Sequence, residues 1–512
     1  MADHPKELLL SGLQHVGEPL DPAYMLAKEL AAEIPDGRDP HRLIYPLEVI
    51  IYVSILASSA GAQNAAGIRR WWQANRSDIG RHLAWSSDID DDTCIPSELT
   101  IRRAIAVIDK DKLAELFAGH FTMQAAKAPG KLAEFRGTRP LGSLEVLGCD
   151  GQNVRGTNRT VIGKNGKKKT KSGCDITTVY SCSTGITLAQ TVAVKKNQEA
   201  AAIKKMIENM NLSGTIMTWD ALNTHPDLIE AVCARGGEVI ACIKSNNETA
   251  EEEISDAFSL IKSGAPCAGD LGDSMITGEF TESGHGLICK RFVRILPVSA
   301  LSGEFRKKWK EVRAVYEIEA HIWIKRGGKT SEETVNIRHY VSTLEPDYSA
   351  PGYAAQVNDT VMKRWGVESG QHWVLDVIYG QDRLNAKNRD YIENITYMYK
   401  MARNAAAHVR AICAEAGAAN PPSYSAVIRA CGRFEDAEKI MAAFVTGDDS
   451  LLTDSDLLRG YDWLHGAVIP DPRAGKPVII PPKEDPAAGF ALAKLTKSSK
   501  SRSRKKQLAA SA

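Results

Sequence analysis

Three acidic residues offer the strongest chemistry in this sequence. Asp150 lies in Leu147-Gly148-Cys149-Asp150-Gly151-Gln152, Asp220 ends Met217-Thr218-Trp219-Asp220, and Glu368 closes Arg364-Trp365-Gly366-Val367-Glu368. The first two follow short apolar, β-branched runs, a pattern that delivers a carboxylate where a buried strand reaches a cleft. The third falls on a helical pattern. Carboxylate oxygens are hard ligands suited to Mg2+ or Mn2+, and three converging acids can hold a pair of ions that clamps the attacking and leaving oxygens of a phosphoryl transfer. Chemistry of that kind cuts or joins nucleic acid.

Asp376 and Asp382 compete with Glu368 for the third place. At 100° per residue, Arg364, Glu368 and His372 recur every four residues on one helical face, whereas Asp376 is turned about 80° away from Glu368. Glu368 is therefore preferred. Arg364 is placed to pair a DNA phosphate, and His372 to hydrogen-bond the carboxylate or a phosphate, although a histidine beside Trp373 is as readily a packed residue. Next to Asp150 runs a basic stretch with Arg155, Arg159, Lys164, Lys167, Lys168, Lys169 and Lys171, interleaved with glycines. It reads as a mobile loop that binds DNA by releasing counterions. Trp309 and Trp323 could stack on a displaced base, with packing the more ordinary fate of each.

These residues sit in a chain of 512 residues, 43% hydrophobic, with a net charge of +1. Length alone allows about three or four domains, and no global field advertises a polyanionic partner, so phosphate attraction must come from local clusters. Ten cysteines without a CxxC pair point to free thiols in a reducing cytosol instead of a disulfide framework or a zinc site. Asp3 and Glu7 break any signal-peptide pattern, and the apolar stretch 46–62 contains Glu48, Ser54, Ser58 and Ser59, which suits a buried helix and not a bilayer span. The expected location is cytoplasmic, on DNA when it is bound.

Helical periodicity covers residues 1–135, with apolar runs at 47–56, 68–72, 99–108 and 113–121. Ser97 is a candidate cap ahead of Arg102 and Arg103, either half of a DNA-binding helix-turn-helix or an ordinary capped helix. Within 136–245 the period drops to about two. Strands are predicted at 144–150, 176–182, 186–194, 214–220 and 238–243, with a hairpin turn at Ser183-Thr184-Gly185 and helices at 199–210 and 226–234. That order is the order of the ribonuclease H-like fold, in which the first and fourth strands are neighbours; by this analogy Asp150 and Asp220 meet. Residues 246–350 read as a β-rich insertion with strands at 287–296, 312–323 and 335–344. Residues 351–415 are a helical part of the core carrying the third acid, with helices at 358–376 and 391–414. A helical and irregular extension, 416–490, contains a loop at Pro470-Asp471-Pro472 and Pro481-Pro482, and 491–512 is a basic tail of disordered composition. The fold class is α/β, a ribonuclease H-like core with a β-rich insertion behind an N-terminal helical domain.

Together these motifs resemble the bacterial insertion-sequence DDE transposases of the H-repeat-associated type across most of the chain. Asp150-Gly151-Gln152-Asn153-Val154-Arg155-Gly156 is similar to that family's Asp-Gly-Lys-x-x-Arg-Gly, and Lys195-Lys196-Asn197-Gln198 to its Lys-x-Asn-Glu. Lys244-Ser245-Asn246-Asn247 resembles its Lys-x-Asn-Gln, His285-Gly286 its His-Gly, and His339-Tyr340-Val341-Ser342 its Tyr-x-x-Ser strand. Trp365-Gly366-Val367-Glu368 and His372 to Val377 resemble the terminal signature. Gln152 stands for the usual lysine, His225 for a glutamine, Ser369 for an asparagine and Gln381 for an acid, while Met362 and Arg364 rewrite the positions before the tryptophan. The triad is intact. The resemblance implies cleavage of transposon ends and 3′-hydroxyl strand transfer into target DNA, with no covalent protein intermediate. It implies two Mg2+ (or Mn2+) ions, Asp150 bridging them and Asp220 and Glu368 each completing one sphere, and Lys244 among the DNA contacts. DNA ends and target would be the partners of a homodimer or larger assembly, with no membrane. A nuclease without strand transfer and a catalytically silent DNA-binding derivative are the alternatives.

Overall fold

The computed structural model describes residues 22–34, 36, 38, 45–83, 95–115, 117, 144–162, 168–171, 173–193, 199–208, 210–264, 272–284, 286–326, 329–415, 421–448, 450–453, 468–471 and 476–479. Lys164, Lys167, the stretch 195–198, His285 and the basic tail lie outside them.

The N-terminal helices are α1 (Pro22–Glu33), α2 (Leu47–Ser59), α3 (Ala65–Ala74), α4 (Arg76–His82) and α5 (Glu98–Val107). Apart from Glu48, every residue of α2 is buried. Two of its buried serines are satisfied within the helix, the Ser58 and Ser59 hydroxyls donating to the carbonyls of Ser54 and Ile55 at 2.7 and 3.2 Å. Among the described residues no helix is long and apolar enough to cross a membrane. Ser97 caps α5 by accepting from Thr100 N at 3.1 Å, as its position predicts. Arg102 turns back to Glu98, 2.5 Å away, and lies over the Tyr391 ring.

Strand β1 (Glu145–Asn153) anchors a ten-stranded sheet. After β1 come a ribbon of β2 (Arg159–Ile162) and β3 (Lys168–Lys171), then β4 (Asp175–Ser181), β5 (Thr187–Ala193), α6 (Glu199–Ile207), β6 (Thr215–Thr218), α7 (Pro226–Cys233) and β7 (Glu238–Ile243). The expected alternation holds, and β1 lies between β4, antiparallel, and β6, parallel. Then follow α8 (Glu248–Lys262), β8 (Ile276–Gly284), β9 (Leu287–Pro297), α9 (Gly303–Lys308), β10 (Ala314–Arg326), β11 (Lys329–Thr330) and β12 (Thr334–Ser342). The sheet runs β5-β4-β1-β6-β7-β12-β10-β9-β8, with β11 paired to β10. The inserted strands thus extend the core sheet, through β12 antiparallel to β7.

Two elements here depart from expectation. Helix α8 opens a region read as strands, because its apolar stripe is only Ala250, Ile254 and Phe258 among acidic residues. Strand β8 is an outer edge whose alternation is weakened by Gly278 and by polar residues on both faces. Trp309 is 2% exposed and stacked near Phe305, at 6.0 Å, which removes it from any base, while Trp323 stays half-buried beside His321. The basic stretch is a correction too: Arg159 pairs with Lys171 and Ile162 with Lys168, so part of it is a β-ribbon and not a loop.

Helix α10 (Tyr353–Lys363) leads into the segment carrying Glu368, and α11 (Arg389–Glu415), α12 (Tyr424–Ala430), α13 (Phe434–Thr446) and α14 (Ser450–Thr453) follow. Strands β13 (Val468–Asp471) and β14 (Lys476–Ile479) pair antiparallel where a proline-marked loop was expected; their prolines face each other in a two-stranded ribbon with free edges.

Helix α11 is buried yet carries a polar stripe, and the edge of β5 explains it. Asn404 accepts from Thr187 N at 2.9 Å and donates to Thr187 O at 3.0 Å. Tyr397 donates to Gln190 O at 2.6 Å, Glu393 accepts from Val192 N at 3.2 Å, and Arg403 donates to Gly185 O. Side chains of a helix thus satisfy the backbone that a further strand would otherwise pair. The same helix packs against α2, α5 and α13, which joins the N-terminal helices to the catalytic core.

Candidate active site

The parallel ladder between β1 and β6 matches Glu145 to Thr215 and continues to Gly148 and Thr218. Asp150 and Asp220 each lie two residues past that last pair, so the same register brings them side by side at the ends of the strands. Each carboxylate accepts the next backbone N–H, from Gly151 at 2.9 Å and from Ala221 at 2.8 Å. Two glycines in β1 permit close neighbours. A Cβ at Gly148 would run into Val367 Cγ2, and one at Gly151 would stand 2.5 Å from Glu199 Oε1.

The third acid arrives on a helix that widens. Val367–His372 and Val374–Ile378 are π-helical, a local widening with i→i+5 bonds that is frequent at functional sites. The broad turn lays several residues on the sheet at once. Val367 sits on Gly148, Gln371 donates to Thr178 Oγ1 at 2.7 Å and accepts from Thr187 Oγ1 at 3.1 Å, and His372 Nδ1 is 3.5 Å from Asp150 Oδ2. Thr178 is the strand partner of Asp150. Gly370 O accepts from Arg403 Nη2 at 2.7 Å, and a Cβ on Gly370 would lie 2.7 Å from Tyr180 OH. Arg403 is fully buried, and the hydroxyls of Tyr180 and Tyr424 accept its remaining bonds at 3.0 and 3.1 Å. Glu368 stays on the open side, 48% exposed.

Asp150, Asp220 and Glu368 line one cleft of about 170 Å³ together with Lys244, Arg338, Tyr340, Arg364 and Trp365. Lys244 Nζ is 3.6 Å from Asp220 Oδ1, and Arg364 Nη1 is 4.0 Å from Glu368 Oε1. Burial pushes the Asp150 carboxyl up to about 6, with Glu199 and Glu368 pushing the same way against the Gly151 N–H and Arg364. Burial, aided by Lys400, pushes His372 down to about 4, which leaves a neutral imidazole beside Asp150 at neutral pH; its Nε2 has no hydrogen-bond partner.

Among the described residues no group of three or more His, Cys, Asp or Glu side chains stands close enough to hold an ion as placed. The donor set nevertheless suits a hard divalent cation: three carboxylates face a common cleft, and one of them, Asp150, is half-buried and repelled by Glu199 and Glu368, so a cation would favour its charged form. Asp376 and Asp382 do not line that cleft. Asp382 accepts Arg155 N at 3.0 Å and lies 3.3 Å from Arg155 Nε, while burial and Asp382 push Asp376 up to about 6.

Of the basic candidates, Arg155 is held by Asp382, Arg159 donates to Ala386 O at 2.8 Å, and Lys168, Lys169 and Lys171 fall on β3, with Lys168 exposed. Gln152 and Gln381, two departures from the resembling family, meet: Gln381 Nε2 donates to Gln152 Oε1 at 3.3 Å, so an amide pair stands where lysine and an acid are usual. Arg338 and Glu199 escaped the sequence reading. Strand alternation places Arg338 on the face of Tyr340, but bringing it to the cleft depends on the pairing of β12 with β7, a contact between segments about a hundred residues apart.

Comparison with known proteins identifies the family. The Transposase DDE domain model matches residues 142–405, and the DDE_Tnp_1-associated model matches residues 29–121. The chain is 23% identical over 372 residues to "Putative transposase YncI" of Escherichia coli O157:H7, covering 72% of this chain and 84% of that protein. It is 22% identical over 351 residues to "H repeat-associated putative transposase YhhI" of Escherichia coli strain K12, covering 68% and 82%. A piggyBac transposase synaptic complex with hairpin DNA, solved by cryo-EM, aligns over 92% of this chain and 87% of that one at 11% identity and a TM-score of 0.36, too distant to bear on mechanism. With a DDE-domain match spanning the sheet, the cleft and all three acids, the chain belongs to the Transposase DDE domain family.

Proposed function

We propose that this protein is an insertion-sequence transposase that cleaves transposon ends and joins the freed 3′-hydroxyl to target DNA, using Asp150, Asp220 and Glu368 to hold two Mg2+ ions, or Mn2+ in their place. The observation that carries this reading is that acids from three separate elements line one cleft, faced by Lys244, Arg338 and Arg364. Family membership brings DNA as partner and a divalent metal in general. Bound there, the ions would supply Lewis acidity and an activated oxygen nucleophile.

The chain's own residues set the geometry. The Gly151 N–H orients the Asp150 carboxylate, with the His372 ring packed 3.5 Å from it, and the Ala221 N–H orients that of Asp220. Water attacks the phosphorus at the transposon end and the 3′ oxygen leaves with a proton; that 3′ oxygen then attacks a target phosphodiester and displaces a target 3′ oxygen. No protein–DNA bond forms in either step. Lys168, Lys169 and Lys171 on the ribbon, with Lys164 and Lys167 of the same stretch, are assigned to the flanking duplex, and Arg155 and Arg159 fix the base of the ribbon. Holding two ends at once requires a dimer or larger assembly on DNA.

The test is the full chain with duplexes carrying the inverted repeats that flank its gene. The wild type should nick the ends and make joined products only with divalent metal. Cleavage without joined product would indicate a nuclease, absent cleavage with retained end binding would indicate a silent DNA-binding protein, and cleavage that needs no divalent metal would overturn the metal assignment.

A further inference from the structure

Three cations face the acids of the cleft, and different groups hold them. Lys244 lies against Asp220 and Arg364 against Glu368. Among the described residues, no carboxylate stands within ion-pair distance of Arg338. Its guanidinium instead lies over the Trp365 ring, 5.3 Å from the centroid, where Arg364 also lies at 4.9 Å. The backbone beneath it is fixed on both sides, with Arg338 opposite Ile318 of β10 and its neighbour His339 opposite Ile243 of β7. The side chain is half-buried in the cleft wall.

A guanidinium resting on an aromatic face has already given up much of its rotamer freedom, keeps a planar fork of N–H donors, and matches the oxygens of a phosphate. Lys244 and Arg364 share their charge with carboxylates until a divalent cation takes those acids over. Arg338 needs no such exchange. A phosphodiester entering the cleft is the anion that its position leaves uncompensated.

We propose that Arg338 clamps a backbone phosphate of the transposon end beside the reactive one, through non-bridging oxygens, and does so before any metal binds. This assignment rests on the transposase reading above. It separates Arg338 from the other two cations: without divalent metal, end binding depends on Arg338 and only weakly on Lys244.

The experiment measures binding of labelled end duplex to full-length protein in EDTA across a salt series. Arg338→Gln should flatten the slope of log affinity against log salt by about 0.9 and weaken binding roughly tenfold at moderate salt, whereas Lys244→Gln should change both much less. Arg338→Lys, which keeps the charge, should keep the slope and lose part of the affinity. A second measurement controls for misfolding, because a folded Arg338→Gln must still lose affinity to methylphosphonates at the other positions. Single methylphosphonates are placed along the end strand; one of them should weaken the wild type yet add nothing to the loss in Arg338→Gln. A wild-type slope in Arg338→Gln, or methylphosphonate losses that add in full at every position, would overturn the assignment. Failure of the wild type to bind its own ends would instead overturn the transposase reading.

Discussion

Asp150 is the residue on which the site turns, since it touches His372, accepts the Gly151 N–H and is the most enclosed of the three acids. Its side chain is 23% exposed, against 44% for Asp220 and 48% for Glu368. Asp150→Asn or Asp220→Asn removes a charge at almost constant volume. Either should drop end cleavage below detection while end affinity stays within a few-fold of wild type, as followed by gel assays of both steps. Glu368→Gln should do the same. Asp382→Asn should keep measurable cleavage, because that carboxylate anchors Arg155, and Asp376→Asn should act on stability. Full activity in Glu368→Gln with loss in either aspartate variant would move the third ligand. The placement of Asp150 and Asp220 at the cleft was legible because an acid following an apolar run is a local signal, and that of Glu368 because its spacing from Arg364 is helical. Arg338 was not, since nothing near it in sequence announces that β12 will lie beside β7, and Glu199 reaches Gly151 only because that residue lacks a Cβ.

At the scale of elements, the placement of Glu368 depends on how closely its segment lies on β1. Gly148→Ala would push a methyl group into Val367 Cγ2. It should destabilise the fold by about 1–3 kcal/mol and slow cleavage without weakening end binding. Val367→Ala in the same chain should restore most of both, measured as thermal midpoint and cleavage rate of the four members of the cycle. Two independent, additive losses would show that the contact does not govern the acid. Spacing by four correctly put Arg364 and Glu368 together, yet the pattern contains no sign that α-helix gives way to π-helix after Arg364. The change comes from what the segment lands on: Gly148, Thr178, Thr187 and Tyr180 belong to β1, β4 and β5 or the turn that joins them, not to the helix. Strands β1 and β4 to β7 were readable from alternation and turn residues, whereas the ribbon of β2 and β3 was masked by its lysines and glycines and α8 hid its narrow apolar stripe among glutamates.

Across the whole molecule, Glu317 ties the extended sheet to α8. It is 1% exposed and meets Arg294 at 2.6 Å, Lys262 at 3.1 Å and His339 at 3.4 Å. Burial pushes its carboxyl up, but the bonds from His339, Lys262 and Arg294 outweigh it and hold the group down at about 2, against an ordinary 4.5. A lowered folded-state value means that the stabilisation is complete above about 4.5 and is lost as pH falls toward 2, a difference on the order of 3 kcal/mol. Glu317→Gln should therefore lower stability to denaturant at neutral pH by about that amount or more and flatten the acid limb of the stability curve between about pH 5 and 2. An acid limb as steep as that of the wild type would place the charge elsewhere.

Helix α11 and strand β5 have commensurate repeats. From Glu393 to Asn404 the helix advances eleven residues, about 16.5 Å at 1.5 Å each. From Val192 to Thr187 the strand advances five, also about 16.5 Å at 3.3 Å each. The two lattices coincide at both ends of the contact and run in opposite directions, so a shift by one residue of either would misalign every bond along it. The helix is thereby indexed to the sheet like a scale against a ruler. Because Arg403 grips Gly370 from that same helix, the distance of the third acid along the sheet is set by the match of two regular repeats and not by the length of the connection between them.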